Sequence, residues 1–318
     1  MPRPAFASAL VCAGLALAGC GGGGGDEAAS GGGRPLEGGT LDYALASDPR
    51  RLDPLLASDR ASQVVTRQIH EPLVEVLTGP FGDLREVGGL ARSSGSSGDA
   101  TIWRFRLRPR IRFGDGTPFN ASAVLANAER WMASPEGRVL LPDLAAVDAP
   151  QPDIVRFILD QPDDAFPERL SQARLGIVSP RTLRAASPVD GARVADGGSG
   201  TGAFEFREQE AGASTVLARN TSWWGTRLRL GPALDQLVFP VVPRASDRVA
   251  MLDDGQVEVA DELDPAAAEK VRSGPLLAVE GGGAGPLFGI ERSVRGIEAG
   301  TGVPVLSGTW LTSIGAEE

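Results

Sequence analysis

The chain has 318 residues, a formal net charge of −10 and a sequence pI near 4.8, with one histidine and two cysteines. That acidic balance argues against a nucleic-acid partner and against electrostatic adhesion to anionic lipid, both of which call for basic patches. Roughly 280 residues follow a glycine-rich start, enough for one large or two ordinary domains.

The amino terminus reads as a signal peptide: Arg3, an apolar stretch from Ala5 to Ala18, then small residues before Cys20. Its apolar core is about a dozen residues, short of the ~20 that cross a bilayer as a helix, and glycines follow it in place of stop-transfer charges. Leu17-Ala18-Gly19-Cys20 resembles a bacterial lipobox. This implies removal of residues 1–19 and diacylglycerol on the Cys20 sulfur, with an ordinary secretory signal that happens to contain a cysteine as the alternative. Loss of Arg3 would take the formal charge from −10 to −11. Residues 20–39 are Gly-rich with little to bury, the composition of a flexible tether. With Cys12 removed and Cys20 lipidated, no thiol remains for a disulfide, a nucleophile or a zinc site.

Strands and helices then interleave, the pattern of a mixed α/β protein. Thr40 to Ala46 alternates like a strand. Asp59 opens a helical stretch in which Val64, Val65, Ile69, Leu73 and Val76 recur at helical spacing, with Pro72 placed to kink or end it. Trp103, Phe105 and Leu107 alternate with Arg104, Arg106 and Arg108, predicting a strand with one buried and one wet face. Phe113 to Pro118 reads as a turn, and Asn120 as the cap of a helix that buries Val124, Leu125, Ala128, Trp131 and Met132. Further on, the pattern predicts a strand at Ile154–Leu159, a short helix at Ala165–Ala173, and a strand at Leu175–Val178 that stops at Ser179-Pro180. A hairpin follows around Gly212 from Phe204 to Leu217. Leu237–Val242 reads as a strand, Ser246–Leu252 as a helix, Val257–Ala260 as a strand and Pro265–Val271 as a helix.

Several motifs agree in order and spacing with one family. They are Leu52-Asp53-Pro54; Ile69-His70-Glu71-Pro72-Leu73-Val74; Trp103 to Pro109 followed by Phe113-Gly114-Asp115-Gly116-Thr117-Pro118; Gly200-Thr201-Gly202-Ala203-Phe204; Arg219 to Gly225; and Gly255-Gln256-Val257-Glu258-Val259. Over roughly Gly39 to Val271 the chain resembles the extracytoplasmic solute-binding proteins of peptide and nickel ABC transporters, family 5. The resemblance implies a type II periplasmic-binding-protein-like α/β fold of mixed-sheet lobes, with residues 40–52 plus 180–318 as a discontinuous first lobe and 53–179 inserted as a second. Family members carry a further lobe after the region that matches Val271. Only about 45 residues follow here, so that lobe is expected to be missing, with Phe288–Ile290 and Val303–Leu306 offering strands to the first lobe.

The motif residues also have structural readings. Asp115 can accept backbone N–H bonds in a turn, Trp223 and Trp224 can pack one ring inward and lay the other on the surface, and Gly200-Thr201-Gly202 suits a hinge or crossing strand. Asn120-Ala121-Ser122 and Asn220-Thr221-Ser222 match the glycosylation pattern but read as a cap and a turn. His70 is the single histidine and Lys270 the single lysine, so neither a nucleophile–base arrangement nor a multi-histidine metal site can be assembled. The expectation is a non-enzyme without cofactor or metal. By position, the resemblance points to Asp48, Arg50, Asp261 and Glu262 as ligand-binding residues beside strand ends, suited to an amine or other cation. Turn and helix-cap roles are the alternative for them. The implied function is a lipid-anchored solute-binding component of an ABC importer, lying outside the cytoplasmic membrane or in the periplasmic envelope. Its partners would be a small solute, oligopeptides among the candidates, and a permease. A lipoprotein using the same scaffold for protein contact or sensing is the alternative.

Overall fold

Alternation along the first strand sets up a sheet with two covered faces. In β1 (Thr40–Ala44) and the residue after it, Leu41, Tyr43 and Leu45 enter one apolar cluster with Val64, Val65 and Ile69, whereas Ala44 enters another with Val249, Leu252 and Val271. The computed structural model describes residues 38–78, 84–87, 89–186, 198–228, 234–272, 278–280 and 294–298. The signal, the tether through residue 37 with Cys20, Phe288–Ile290 and Val303–Leu306 lie outside them.

A seven-stranded mixed sheet is built from β1, β8 (Phe204–Glu210), β9 (Ser214–Arg219), β10 (Gln236–Pro240), β11 (Val259–Leu263), β12 (Ala278–Glu280) and β13 (Val294–Glu298), in the order β12-β13-β11-β1-β10-β9-β8. β1 lies parallel to both β10 and β11, pairing Leu41 with Leu237 and Tyr43 with Val259. Helix α1 (Arg60–Ile69) covers one face, and α6 (Ala245–Asp253) and α7 (Pro265–Arg272) the other.

A four-stranded antiparallel sheet is drawn wholly from 91–159: β4 (Ala91–Ser96), β5 (Ile102–Leu107), β6 (Leu144–Gln151) and β7 (Ile154–Leu159), in the order β4-β5-β7-β6. Its inner face carries Trp103, Phe105, Leu107, Val155 and Phe157, packed on Val124, Ala128 and Trp131 of α2 (Ala121–Ala133). Phe105 meets Phe157 edge to face at 5.5 Å, a favoured geometry for ring quadrupoles. A separate hairpin pairs β2 (Glu75–Thr78) with β3 (Leu84–Val87). Short helices α3 (Pro135–Leu140), α4 (Phe166–Leu170) and α5 (Pro180–Ala185) complete the described residues.

Capping explains where helices start. Asp59 accepts from the Ser62 N–H at 2.9 Å and opens α1; Asn120 accepts from the Ala123 N–H at 3.1 Å and opens α2. The helical stretch expected to run on to Val76 ends at Ile69, before Pro72, and Val76 lies in β2. Leu125 and Met132 of α2 are only half-buried.

Leu175–Val178 is not a strand, contrary to its apolar run. Its backbone bonds scatter: the Ile177 N–H donates to the Glu71 carbonyl, the Val178 N–H to Asn127 Oδ1, and the Ser179 N–H to the Ser199 carbonyl. No single neighbour offers a ladder. The strand expected at Val257–Ala260 is displaced to Val259–Leu263.

The recurring motifs prove to be mutual supports. Asp53 caps a 3-10 turn at Pro54–Leu56 and forms an ion pair with Arg130 of α2. Asp115 accepts from the Thr117 N–H at 2.8 Å and from the Ser179 hydroxyl at 2.6 Å. Despite partial burial, these bonds hold its carboxyl below the ordinary range. Asn220 donates to the Gly202 carbonyl at 2.9 Å, and Gly202 donates its own N–H to the Ile69 carbonyl at the end of α1. A β-carbon at Gly200 would fall 1.9 Å from the Ile69 carbonyl oxygen, so this crossing requires glycine by proximity.

Candidate functional site

In an open α/β sheet a ligand crevice forms outside the carboxyl ends of parallel strands where the connection reverses direction. That reversal falls at β1, which has β10 on one side and β11 on the other. The chain leaves this edge three times, from β1 toward α1, from β10 into α6 and from β11 into α7.

The edge is held by two arginines. Arg60, the first residue of α1, donates through Nε to both carboxylate oxygens of Asp261 at 2.9 Å, and through Nη2 to Oδ1 at 2.7 Å. Asp261 is fully buried, and its Oδ1 also accepts from the Glu262 N–H at 2.8 Å. Burial works against the Arg60 charge, but the bonds and charge of Asp261 outweigh it and raise the guanidinium above its ordinary value. Arg248 of α6 is buried and, among the described residues, makes no bond to a carboxylate. It donates instead to four carbonyls, those of Asp261 (2.8 Å), Val242 (2.6 Å), Pro243 (2.9 Å) and Glu262 (2.8 Å), tying the ends of β10 and β11 together. Burial lowers the proton affinity of its guanidinium from the ordinary value.

β11 is irregular at this point. Its pairing with β13 slips between Ala260 and Leu263, and Glu262 has φ +49°. A bulge of this kind re-aims a side chain at a strand end, and a left-handed glutamate is conformational strain held by its surroundings. The effect is to turn Asp261 inward onto Arg60. Burial, then the Asp261 charge, raises the Glu262 carboxyl above its ordinary range. Tyr43 of β1 lies in the same group. Its hydroxyl is buried and makes no hydrogen bond among the described residues; burial and then the Asp261 charge push it well above its usual range.

Of the residues expected at the site, Asp261 is committed to Arg60, and Glu262 is half-buried beside it. Asp48 is half-buried after β1 and receives a long 3.4 Å bond from Gln209 Nε2; Arg50 is exposed. All four follow or end parallel strands that share one edge, and no described contact joins Asp48 to Asp261. Reading the sequence missed Arg60, Arg248 and Tyr43. The available signal was Arg60 directly after the helix cap Asp59, where a cation opposes the helix dipole and needs an acidic partner.

A second polar cluster joins the two larger apolar clusters. Glu71 accepts from the indole N–H groups of Trp223 (3.2 Å) and Trp224 (2.7 Å), and Trp224 packs against both clusters. The Arg108 guanidinium carbon stands 5.1 Å from the centre of the Trp224 ring. Burial lifts the Glu71 carboxyl from its ordinary 4.5 to about 7, against the opposing pull of the Trp224 indole. His70 is buried, with Nδ1 3.3 Å from the Ile177 carbonyl, a packed position. Among the described residues, no group of three or more His, Cys, Asp or Glu stands ready to hold a metal ion.

Comparison with known proteins decides the family. The family of bacterial extracellular solute-binding proteins, family 5 (middle), matches residues 86–293. The chain belongs to this family. It is 30% identical over 222 residues to the probable D,D-dipeptide-binding periplasmic protein DdpA of Escherichia coli K12, covering 69% of this chain and 42% of that one. It is 29% identical over 221 residues to the glutathione-binding protein GsiB of the same strain, covering 68% and 41%. The chain therefore spans less than half the length of these curated relatives. Among solved structures, the Helicobacter pylori periplasmic binding protein DppA in complex with the peptide STSA superposes with TM-score 0.65 at 24% identity, over 76% of this chain and 50% of that one. The binding protein AgaA of Agrobacterium tumefaciens R10 in complex with agropinic acid gives 0.65 at 25%, over 74% and 46%. The seven-stranded mixed sheet and the four-stranded antiparallel sheet are those of the type II periplasmic-binding-protein fold.

Proposed function

We propose that this protein is the extracytoplasmic solute-binding component of an ABC import system of peptide-transporter type, binding its solute reversibly, without catalysis, and handing it to a permease. The observation that carries this reading is the family match over 86–293 on a chain that retains the strand edge where such a fold takes a ligand. Names of relatives that bind a D,D-dipeptide, glutathione or the peptide STSA favour a short peptide or similar amino compound.

In this proposal the solute meets Asp48, Arg50 and Glu262, while buried Asp261 contributes by positioning Arg60. Residues 40–52 and 180–318 form one lobe and 53–179 the other, in keeping with the distribution of the two larger sheets along the chain, except that α1 packs on the seven-stranded sheet of the first lobe. Removal of residues 1–19 and a lipid on Cys20 hold the protein at the envelope. The test is a thermal melt of the chain from Gly21 onward against short peptides, amino compounds and metal chelates. A solute present at 100 times its Kd adds about 2.7 kcal/mol. A clear upward shift with one class supports the proposal, and a cooperative melt that no compound moves overturns it.

A further inference from the structure

Outside the strand edge, the outer face of the four-stranded sheet is unusual for so acidic a chain. Cross-strand register sets Arg104 of β5 directly opposite Arg156 of β7, and Arg156 opposite Asp148 of β6. Arg106 stands two residues along β5 on the same face, opposite Ser93 of β4 and Ile154 of β7. Like charges directly opposite in a sheet disfavour it. Among the described residues one carboxylate answers them: Asp148 accepts from Arg156 Nε at 2.8 Å and again from Nη2. Arg104 feels that carboxylate only through its charge, and Arg106 makes no hydrogen bond or ion pair among the described residues.

Beside these arginines the sheet drops away. β4 is the outer strand and carries Ser-Ser-Gly-Ser, with Gly95 opposite Arg104 and open space where a β-carbon would stand. The result is a shallow depression of about 520 Å3 whose lining includes Ser93, Gly95, Ser97, Arg104, Arg106 and Arg156. Its volume is in the range of ligand sites, and hydroxyls and guanidinia are the donors an oxyanion needs.

We infer that this depression binds a small anion carrying two oxyanion groups, of the dicarboxylate or phosphate-ester class. Cross-strand neighbours on one face stand about 5 Å apart at Cβ, and alternate residues of one strand about 6.5 Å apart. The ligand's charges are therefore spaced by about 5 to 7 Å, one on Arg106 and the other shared between Arg104 and Arg156. The concave surface favours a compact ligand over a flat bilayer.

The test is calorimetric titration of the full chain with pyrophosphate and with citrate at low ionic strength. The parent protein binds at least one with a submillimolar Kd. Arg104→Gln and Arg106→Gln each weaken binding about tenfold, as expected for loss of a charge-assisted bond, whereas Arg138→Gln on α3 leaves it unchanged. Sedimentation with phosphatidylglycerol vesicles, but not with phosphatidylcholine, that pyrophosphate competes away would assign the phosphate to a lipid headgroup. Absence of binding to both free anions, or binding that Arg104→Gln and Arg106→Gln leave intact, overturns the inference.

Discussion

Replacing Arg60 by methionine would leave the Asp261 carboxylate buried without its cation. Asp261 has no exposed surface, Arg60 has 14% of its side chain exposed, and three of the carboxylate's four described bonds come from this guanidinium. Breaking such a pair from one side costs about 3 to 5 kcal/mol, because the remaining charge keeps its desolvation penalty and loses its compensation. For a domain of this size each kcal/mol lowers Tm by about 2 to 4 °C, so Arg60→Met should melt roughly 10 °C below the parent. Differential scanning calorimetry of both proteins at pH 7 measures this. Arg60→Met combined with Asp261→Leu should recover most of the loss, since an apolar pair of similar volume does not carry the charge penalty. If Arg60→Met melts within about 1 °C of the parent, the pair does not anchor the edge, and Asp261 is free to serve as a ligand contact.

Two further expectations come from the geometry and a third from the sequence at Cys20. Gly200→Ala places a methyl 1.9 Å from the Ile69 carbonyl oxygen and should cost about 3 kcal/mol in urea unfolding; an unchanged midpoint would mean that the crossing has room to spare. Glu71 binds its proton more tightly folded, at about 7, than unfolded, at 4.5, so its contribution to stability falls as pH rises through that window. Glu71→Gln should thus gain on the parent by about 3 kcal/mol between pH 4.5 and pH 8, and a difference in stability independent of pH would contradict the burial argument. Cys20→Ser should abolish incorporation of labelled fatty acid and release the protein from the membrane fraction, whereas retained label would place the lipid elsewhere.

Much of the fold was legible because local signals and tertiary demands coincide. The alternation from Ile102 to Leu107 matches a buried-exposed pattern residue by residue, Asp59 and Asn120 cap the helices they precede, and Gly212, at φ +74°, turns the β8–β9 hairpin. β6 was missed because Leu144–Gln151 has no clean alternation, its residues being half-buried or exposed throughout. Leu175–Val178 misled for the opposite reason, since its apolar residues are buried by a crossing and not by a ladder. The site was harder still. Arg60 meets Asp261 across 201 positions, and Glu71 meets the two tryptophans across 152 and 153. No periodicity links such partners. Asp261 and Glu262 were pointed to only by position in the family resemblance, and the bulge that turns one inward and strains the other is a property of strand pairing that a single sequence does not display.

A solute-binding role at this edge is decided by calorimetric titration of the chain from Gly21 onward with the short peptide or amino compound that most raises its melting temperature, repeated on Arg50→Gln and Glu262→Gln. Saturable one-to-one binding to the parent is expected, weakened at least about tenfold in each variant without loss of cooperative melting. Binding that both variants retain at full strength would place the solute away from this edge, and no saturable binding by a cooperatively folded parent would contradict a solute-binding role.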